Sequence, residues 1–421
     1  MRCVAFDMLP ALALAVLDIM KRTIYTLFFL VTFGPSYAQS FADAIKDGFS
    51  PLGNLLKKEA SEKATEADPV KNGEIKSVTL KDGTVYVGEM KGRRPHGKGK
   101  AIYKNGDVYE GEFQKGLWHG EGKYRFSDGE IYEGEFRNGK QHGKGVYHFS
   151  DGSLYDGSWQ DNFQHGYGKM IYPGGDVYSG TWIEDERSGS GSYFFTDGSS
   201  YNGEWKGDKR HGMGVYIWPD NSRYTGTFNN GVRSGKGVFV AADSAFVYEG
   251  IWLNDLYDGH GHLRFANGES YEGAFKAGHF EGHGKYTFAD GSYYEGHFKM
   301  GQRHGQGVMI FPGGAKYDGK WNDGKRHGKG KYIWANGDVY EGEWQDDMMH
   351  GSGVLRRSNG IKYKGGFVNG LEHGAGVAED AGGKRYEGTF EKGARNGKFI
   401  VKDKNDKVIQ ECIYSSGSKI K

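Results

Sequence analysis

From Tyr86 onward, ring-bearing, glycine and charged positions recur on a fixed beat. Tyr86, Tyr109, Tyr132, Tyr155, Tyr178, Tyr201 and Tyr224 stand 23 residues apart, and one step of 24 leads to Tyr248. The beat of 23 then resumes through Tyr271, Tyr294, Tyr317, Tyr340, Tyr363 and Tyr386. Two residues after each Tyr comes Gly, and four residues after comes Phe or Trp, with Met90 the exception. In a strand, residues i, i+2 and i+4 share a face. Tyr109, Gly111 and Phe113 therefore share one face, and Glu110 and Glu112 the other. The glycine leaves a gap between two rings that aromatics of neighbouring strands can fill.

A second alternating run follows, Gly122 to Phe126, after a Gly-containing loop ending in His119-Gly120. Asp128-Gly129 comes next and reads as a two-residue hairpin turn with both central residues at positive φ. Asp82-Gly83, Asn105-Gly106, Asp151-Gly152, Asp290-Gly291 and Asn336-Gly337 are its equivalents. Each repeat is thus one hairpin, and fourteen hairpins bury their rings only by stacking. The expected fold is all-β: an elongated, twisted, single-layer antiparallel sheet of stacked β-hairpins. Twenty-eight strands at their ordinary spacing would extend on the order of 130 Å.

The ends read as caps. Glu74 to Lys81 supplies a strand before Tyr86, and Lys398–Lys404 with Lys407–Tyr414 forms a terminal hairpin around Asn405-Asp406. Residues 41–57 fit a short, broken amphipathic helix, interrupted by Gly48 and Pro51, and Lys57 to Lys71 reads as linker. The boundaries are 1–38 for a leader, 39–73 for helical segment and linker, 74–397 for the array and 398–421 for cap and tail. The middle of the array is least regular. Ser188 and Ser234 replace the usual His, the turn glycine is missing at Asp220-Asn221 and Asp243-Ser244, and one residue is inserted before Tyr248. A bulge or altered twist over 220–250, giving a concave partner face, is expected there.

Composition narrows the picture. The chain has 72 Gly but only 8 Pro, with aromatics at 15%, which excludes collagen and a disordered Gly-rich linker. The net charge of +1 offers no global excess for nucleic acid. Cys3 and Cys412 cannot build a disulfide framework or a cysteine zinc site, so Cys412 is a free thiol or an intermolecular link. Met20 to Ser40 carries a basic Lys21-Arg22 start, an apolar stretch from Thr23 to Phe33, and Ser36-Tyr37-Ala38 before Gln39. That order is a secretory signal, with Met20 the expected start and export to the periplasm or exterior the expected outcome. An uncleaved N-terminal anchor and a misassigned start are the alternatives.

The unit Tyr109-Glu110-Gly111-Glu112-Phe113, followed by His119-Gly120-Glu121-Gly122, resembles the MORN repeat (membrane occupation and recognition nexus). Tyr340-Glu341-Gly342-Glu343-Trp344 with His350-Gly351-Ser352-Gly353 repeats it, and the resemblance covers 86–397. It implies an antiparallel β array that binds proteins or sits against membranes. Such repeats also accompany lipid kinases and methyltransferases, but 86–397 leaves no room for either domain.

Several residue sets invite chemistry. Nine histidines hold one repeat position: His96, His119, His142, His165, His211, His304, His327, His350 and His373. Successive rungs lie roughly 9–10 Å apart, too far for zinc ligands at about 2 Å, so each is expected to cap or fill its own turn before Gly. His260, His262, His279 and His283 are off this pattern, and a long loop would be needed to bring His279 inward. They mark the irregular region, with no metal assigned. Glu110, Glu112, Glu133, Glu135, Glu341 and Glu343 face Lys98, Lys100, Lys123, Lys144 and Lys329 and read as cross-strand charge pairs. Arg93, Arg94, Lys209, Arg210, Arg303, Lys325 and Arg326 read as a basic line of loop residues for lipid or partner contact, interrupted by acidic residues such as Asp346 and Asp347. Catalytic motifs are absent, and neither cofactor nor catalytic residue is expected. The function read from these features is a non-enzymatic scaffold binding a protein or the cell envelope. Anionic-lipid binding, a role as accessory to a separate enzyme, and self-association through edge strands are the alternatives.

Overall fold

The structure, a computed structural model, describes residues 76–421. The leader, the helix expected over 41–57 and the linker lie outside the described residues. The chain divides into two compact units, one ending at Phe194 and one running from Phe195 to Lys421. The first holds eleven strands, from β1 (Lys76–Thr79) to β11 (Glu186–Phe194). The second holds twenty, from β12 (Ser200–Lys206) to β31 (Ser418–Lys419). Within each unit every strand pairs antiparallel with its neighbours in sequence. The fold is all-β, as the period of two requires, and no helix among the described residues is long and apolar enough to cross a membrane.

One repeat explains the rest. β4 (Val108–Gln114) pairs with β5 (Leu117–Arg125), setting Tyr109 opposite Tyr124, Gly111 opposite Gly122 and Phe113 opposite Trp118. The register shifts between Gly111 and Glu112, so His119-Gly120 lies on a bulge inside β5 and not at the end of a loop. Gly120 takes φ 59° there. The same shift recurs in the other hairpins, so the bulge expected only over 220–250 is a general feature of the unit.

The two turns exchange the roles expected from sequence. The connection within the hairpin is the two-residue turn Lys115-Gly116, with φ 54° and 89°. Asn138-Gly139 and Met300-Gly301 repeat it. The Asp-Gly connection is instead a three-residue loop. Gly129 N–H donates to Phe126 O at 3.1 Å, and Phe126 N–H to Glu130 O at 2.9 Å. Only its glycine is left-handed, with φ 99°, and Asp128 accepts from the Glu130 N–H at 3.0 Å. The residue inserted before Tyr248 lengthens this loop to four residues, Ala242–Ala245, with Ala241 N–H donating to Phe246 O at 2.9 Å and Asp243 and Ser244 both left-handed. Register resumes with Phe239 opposite Tyr248 and Gly237 opposite Gly250.

The core of each unit is a row of tyrosines, fully buried from Tyr86 through Tyr178 in the first and from Tyr201 through Tyr317 in the second. Each ring lies across its own glycine pair: a Cβ on Gly122 would fall 2.4 Å from Tyr109 Oη, and one on Gly111 2.6 Å from it. The gap is thus filled by the ring of the same repeat and not by a neighbour's. Tyr109 Oη donates to the Glu112 carbonyl at 2.9 Å, the group that the bulge turns away from the ladder. The same bond runs from Tyr86 at 2.7 Å and Tyr363 at 3.1 Å. Neighbouring repeats meet edge to face, since Tyr109 lies 5.0 Å from Phe113 and 5.1 Å from Phe136.

The array closes on a substituted glycine. β29 (Ala394–Lys402) brings Phe399, not Gly, opposite Gly388, and the Phe399 ring occupies the space over that glycine. Phe399 and Val401 are buried on β29, and Cys412, opposite Phe399 on the paired β30 (Val408–Ser415), is buried with them. Cys412 is a free thiol, 3% exposed, which disfavours the intermolecular link.

Two predictions follow from the tyrosine seat. Gly122→Ala should destabilise its hairpin by about 1–3 kcal/mol through overpacking, and Tyr109→Phe by about 1–2 kcal/mol through the orphaned carbonyl. Glu110→Ala should stay within about 0.5 kcal/mol. Hydrogen exchange of β4 and β5 reads these locally, because repeat arrays need not unfold in two states. The second concerns pH. Burial pushes the Tyr86, Tyr294 and Tyr363 hydroxyls up to about 12. Tyr109 and Tyr132 are raised for the same reason, with Glu112 and Glu135 adding to it. An unfolded phenol ionises near pH 10. The stabilisation is therefore intact below about pH 10 and is lost as pH rises towards the folded values. Alkaline titration followed by phenolate absorbance and circular dichroism should show tyrosine ionisation delayed beyond pH 10 and coupled to unfolding.

Candidate interaction surface

The face opposite the tyrosines carries the charges. Its glutamates serve the bulge: Glu89 Oε1 accepts from Lys98 N–H at 3.1 Å, Glu135 Oε1 from Lys144 N–H at 2.8 Å, and Glu204 Oε1 from Met213 N–H at 3.0 Å. Each carboxylate lies over the left-handed glycine of its bulge, as Glu112 lies over Gly120. Direct cross-strand pairs also form, Lys123 to Glu133 at 2.7 Å and Lys100 to Glu110 at 3.5 Å. They are exposed and each worth no more than about 1 kcal/mol. A second set of acids staples the longer turns. Asp107 Oδ2 accepts from Tyr124 Oη at 2.6 Å, and its Oδ1 from Ser127 N–H at 2.8 Å. These bonds outweigh the effect of burial and hold the Asp107 carboxyl below the usual range.

The repeat histidines sit in strands, on the bulge. Nδ1 of His96, His119, His142, His211 and His304 is buried without a hydrogen-bond partner. Of the two expected roles, capping through Nδ1 is absent at these five, and the buried ring takes the filling role. The carbonyls of His142 and His350 face the ladder hydroxyls, at 3.4 Å from Tyr132 Oη and 3.4 Å from Tyr340 Oη.

Only Arg93 of the basic line lies in a turn. Arg94 begins β3 (Arg94–Ile102), Lys209 and Arg210 begin β13 (Lys209–Ile217), and Lys325 and Arg326 begin β23 (Lys325–Ile333). Arg303 is the second residue of β21 (Gln302–Ile310). The position before His points to the aromatic face and covers the tyrosine. The guanidinium of Arg210 lies 5.9 Å from the Tyr201 ring centre, and that of Arg326 lies 4.5 Å from the Trp344 ring. Arg303 lies 4.4 Å from the Trp321 ring, and desolvation pushes its guanidinium down from its usual range. Arg210 Nη2 donates to Gly231 O at 2.8 Å, and Arg303 Nη2 to Gly324 O at 2.8 Å. Arg326 donates through N, Nε and Nη2 to Asp347 at 3.0, 2.9 and 2.8 Å. These three arginines tie one repeat to the next turn. Lys325 stays exposed, 3.8 Å from Asp346.

The off-pattern histidines do not converge. His260 and His262 lie on β17 (Leu256–Phe265), opposite Ala274 and Glu272. His279 begins β19 (His279–Thr287) opposite Lys276, after a two-residue turn that leaves no long loop to bring it inward. His283, further along β19, opposes His297 on β20 (Tyr293–Lys299). Among the described residues no three His, Cys, Asp or Glu side chains gather to hold a metal ion.

Residues beside the two-residue turns were not singled out from sequence. They alternate onto the charged face, and in several repeats they are large, apolar and exposed. In the first unit these are Leu117, Phe163 and Ile183. In the second, Leu253 opposes Leu256, and Val368 opposes Leu371, with Met348 one repeat earlier. Leu256 and Leu371 are each 49% exposed, as much as many charged neighbours. Their signal was present as apolar residues breaking the polar alternation at the strand ends.

No curated protein matches the chain by sequence. Among solved structures, the TCP domain of Drosophila melanogaster SAS-4, in complex with a proline-rich motif, is similar over 43% of this chain and 94% of its own, at 11% identity and TM-score 0.24. The TCP10 domain of Danio rerio CPAP aligns over 64% and 99%, at 12% identity and TM-score 0.20. Virginiamycin B lyase from Staphylococcus aureus aligns over 75% and 94%, at 13% identity and TM-score 0.12. At such scores these likenesses carry no argument. The MORN repeat matches fourteen consecutive segments, from 86–108 through 224–245 and 248–270 to 386–398. With the recurring Tyr-x-Gly hairpin described above, this chain belongs to the MORN-repeat family.

Proposed function

We propose that this chain is an exported, non-enzymatic scaffold that holds another protein against the charged face of its hairpins. One observation carries the reading. The Glu and Arg ladders are taken up largely by bulges, turns and ring stacking, whereas the apolar side chains beside the two-residue turns stand exposed. Isolated apolar residues on a surface are ordinary, but apolar pairs such as Leu253 with Leu256 and Val368 with Leu371 suit a protein partner. Export rests on the signal-like order of Met20 to Gln39.

Leu256→Glu and Leu371→Glu are expected to abolish pull-down of a partner from the envelope of the exporting cell, with circular dichroism unchanged. Recovery equal to the parent would overturn the reading. The mature chain should begin at Gln39 by N-terminal sequencing.

Membrane contact is a separate outcome. Arg326→Ala is expected to destabilise β23 and its neighbours by about 1–2 kcal/mol in hydrogen exchange, through lost stacking and charged hydrogen bonds. Lys325→Ala should not. Co-sedimentation of the full chain with anionic vesicles, across a range of salt, tests the lipid alternative. Binding that falls with salt and with Lys209→Ala or Lys325→Ala would favour it over a protein partner.

A further inference from the structure

We propose that His283 and His297 form a two-imidazole site for a divalent transition-metal ion on the charged face of the second unit. The two residues are directly opposite on β19 and β20. Their rings are 5.7 Å apart between centres and perpendicular, at 89°. Two imidazole nitrogens at about 2.0–2.1 Å from one ion bring the ring centres to within about 6 Å of each other. The observed separation therefore meets the chelate geometry with side-chain rotation alone. Both side chains are exposed, so the rings can turn and water can complete the coordination shell.

The backbone beneath them is already fixed. Six consecutive pairs, from Gly282 opposite Phe298 to Thr287 opposite Tyr293, hold the two strands in register. The same place in other hairpins holds residues of a different kind, Lys98 opposite Glu112, Lys329 opposite Glu343 and Gln306 opposite Lys320. Two histidines gain nothing comparable from each other, and they repel when both are protonated. A shared ion converts that juxtaposition into an attraction. The spacing that separates histidines one repeat apart does not apply here, because these two lie on adjacent strands.

His304, on β21, is the next histidine in the row, but its Nδ1 lies 3.8 Å from Asp323 Oδ1 and is buried. The site therefore takes two protein ligands, consistent with the absence of a three-ligand cluster among the described residues. Such a pair prefers Cu2+ over Zn2+ at the same ligands and needs both rings neutral, so acid releases the ion.

The test is calorimetric titration of the chelator-treated full chain with Zn2+ and Cu2+, with electron paramagnetic resonance of the Cu2+ form. One saturable site with two nitrogen ligands is expected. H283A and H297A should each weaken it at least tenfold, whereas H260A and H304A should leave it unchanged. Circular dichroism should be unchanged in H283A and H297A, because both ligands are exposed. Undiminished affinity and stoichiometry in the H283A/H297A double variant, or binding lost equally in H304A, would overturn the proposal.

Discussion

The seat of a tyrosine ring across two facing glycines is the contact on which the other features of each hairpin depend. The ring lies so close to Gly111 and Gly122 that neither can carry a side chain. Its hydroxyl reaches the Glu112 carbonyl only because the register slips at that residue. The slip in turn needs a left-handed residue at Gly120, and the carboxylate of Glu112 lies over that glycine. Tyrosine, paired glycines, bulge and glutamate are one device. Phenylalanine could fill the seat but would leave the carbonyl unpaired, at about 1–2 kcal/mol.

The same seat propagates the array. Within a unit a ring meets its own aromatic and that of the following repeat edge to face, as Tyr317 meets Trp321 and Trp344 at 5.1 and 5.3 Å. At about 0.5–1.5 kcal/mol beyond area for each contact, the gain accumulates only when neighbours are present. The turns supply a second link. Gly139 N–H donates to the Trp118 carbonyl of the preceding repeat at 2.9 Å. Where Asp or Asn replaces that glycine, its side chain accepts a backbone N–H in return, as Asn162 does from Gln141 at 2.9 Å and Asp347 from Arg326 at 3.0 Å. Left-handed strain at these non-glycine residues is offset by the reciprocal bond. Termination follows the same logic: Phe399 fills the space over Gly388 from the opposite strand. Arg395 lies 3.7 Å above the Tyr386 ring.

Strand identity, phase and the buried face were legible because a period of two and a period of 23 reinforce each other. The bulge was not. His119-Gly120 looks like a loop end, since glycine after a polar residue signals both a turn and a bulge, and only the ladder distinguishes them. The two turns were transposed for a related reason. Asp-Gly serves a two-residue hairpin and a three-residue loop equally well, while Lys115-Gly116 advertises neither. The basic line was misplaced by the same error. Once the hairpin loop shrinks to two residues, Arg210, Arg303 and Arg326 move into strands and onto the aromatic face. His297 escaped notice because it stands where other repeats carry glutamate, and its pairing with His283 becomes visible only in the true register.

An array whose bulge glutamates, turn acids and covering arginines are largely engaged in holding it together has little freedom to vary those residues for recognition. The freedom lies at the strand ends beside the two-residue turns, which neither seat nor bulge reaches, and at the residue that faces the glutamate position across the longer turn. Lys140, Phe163, Glu186, Lys209, Leu256 and Leu371 occupy the first kind of place in different repeats, with no common chemistry. Their backbone is nevertheless held in one geometry by the turn and the ladder. Variation on a fixed frame can encode a partner without altering the fold, so the apolar members of this set are the ones to which specificity is best attributed.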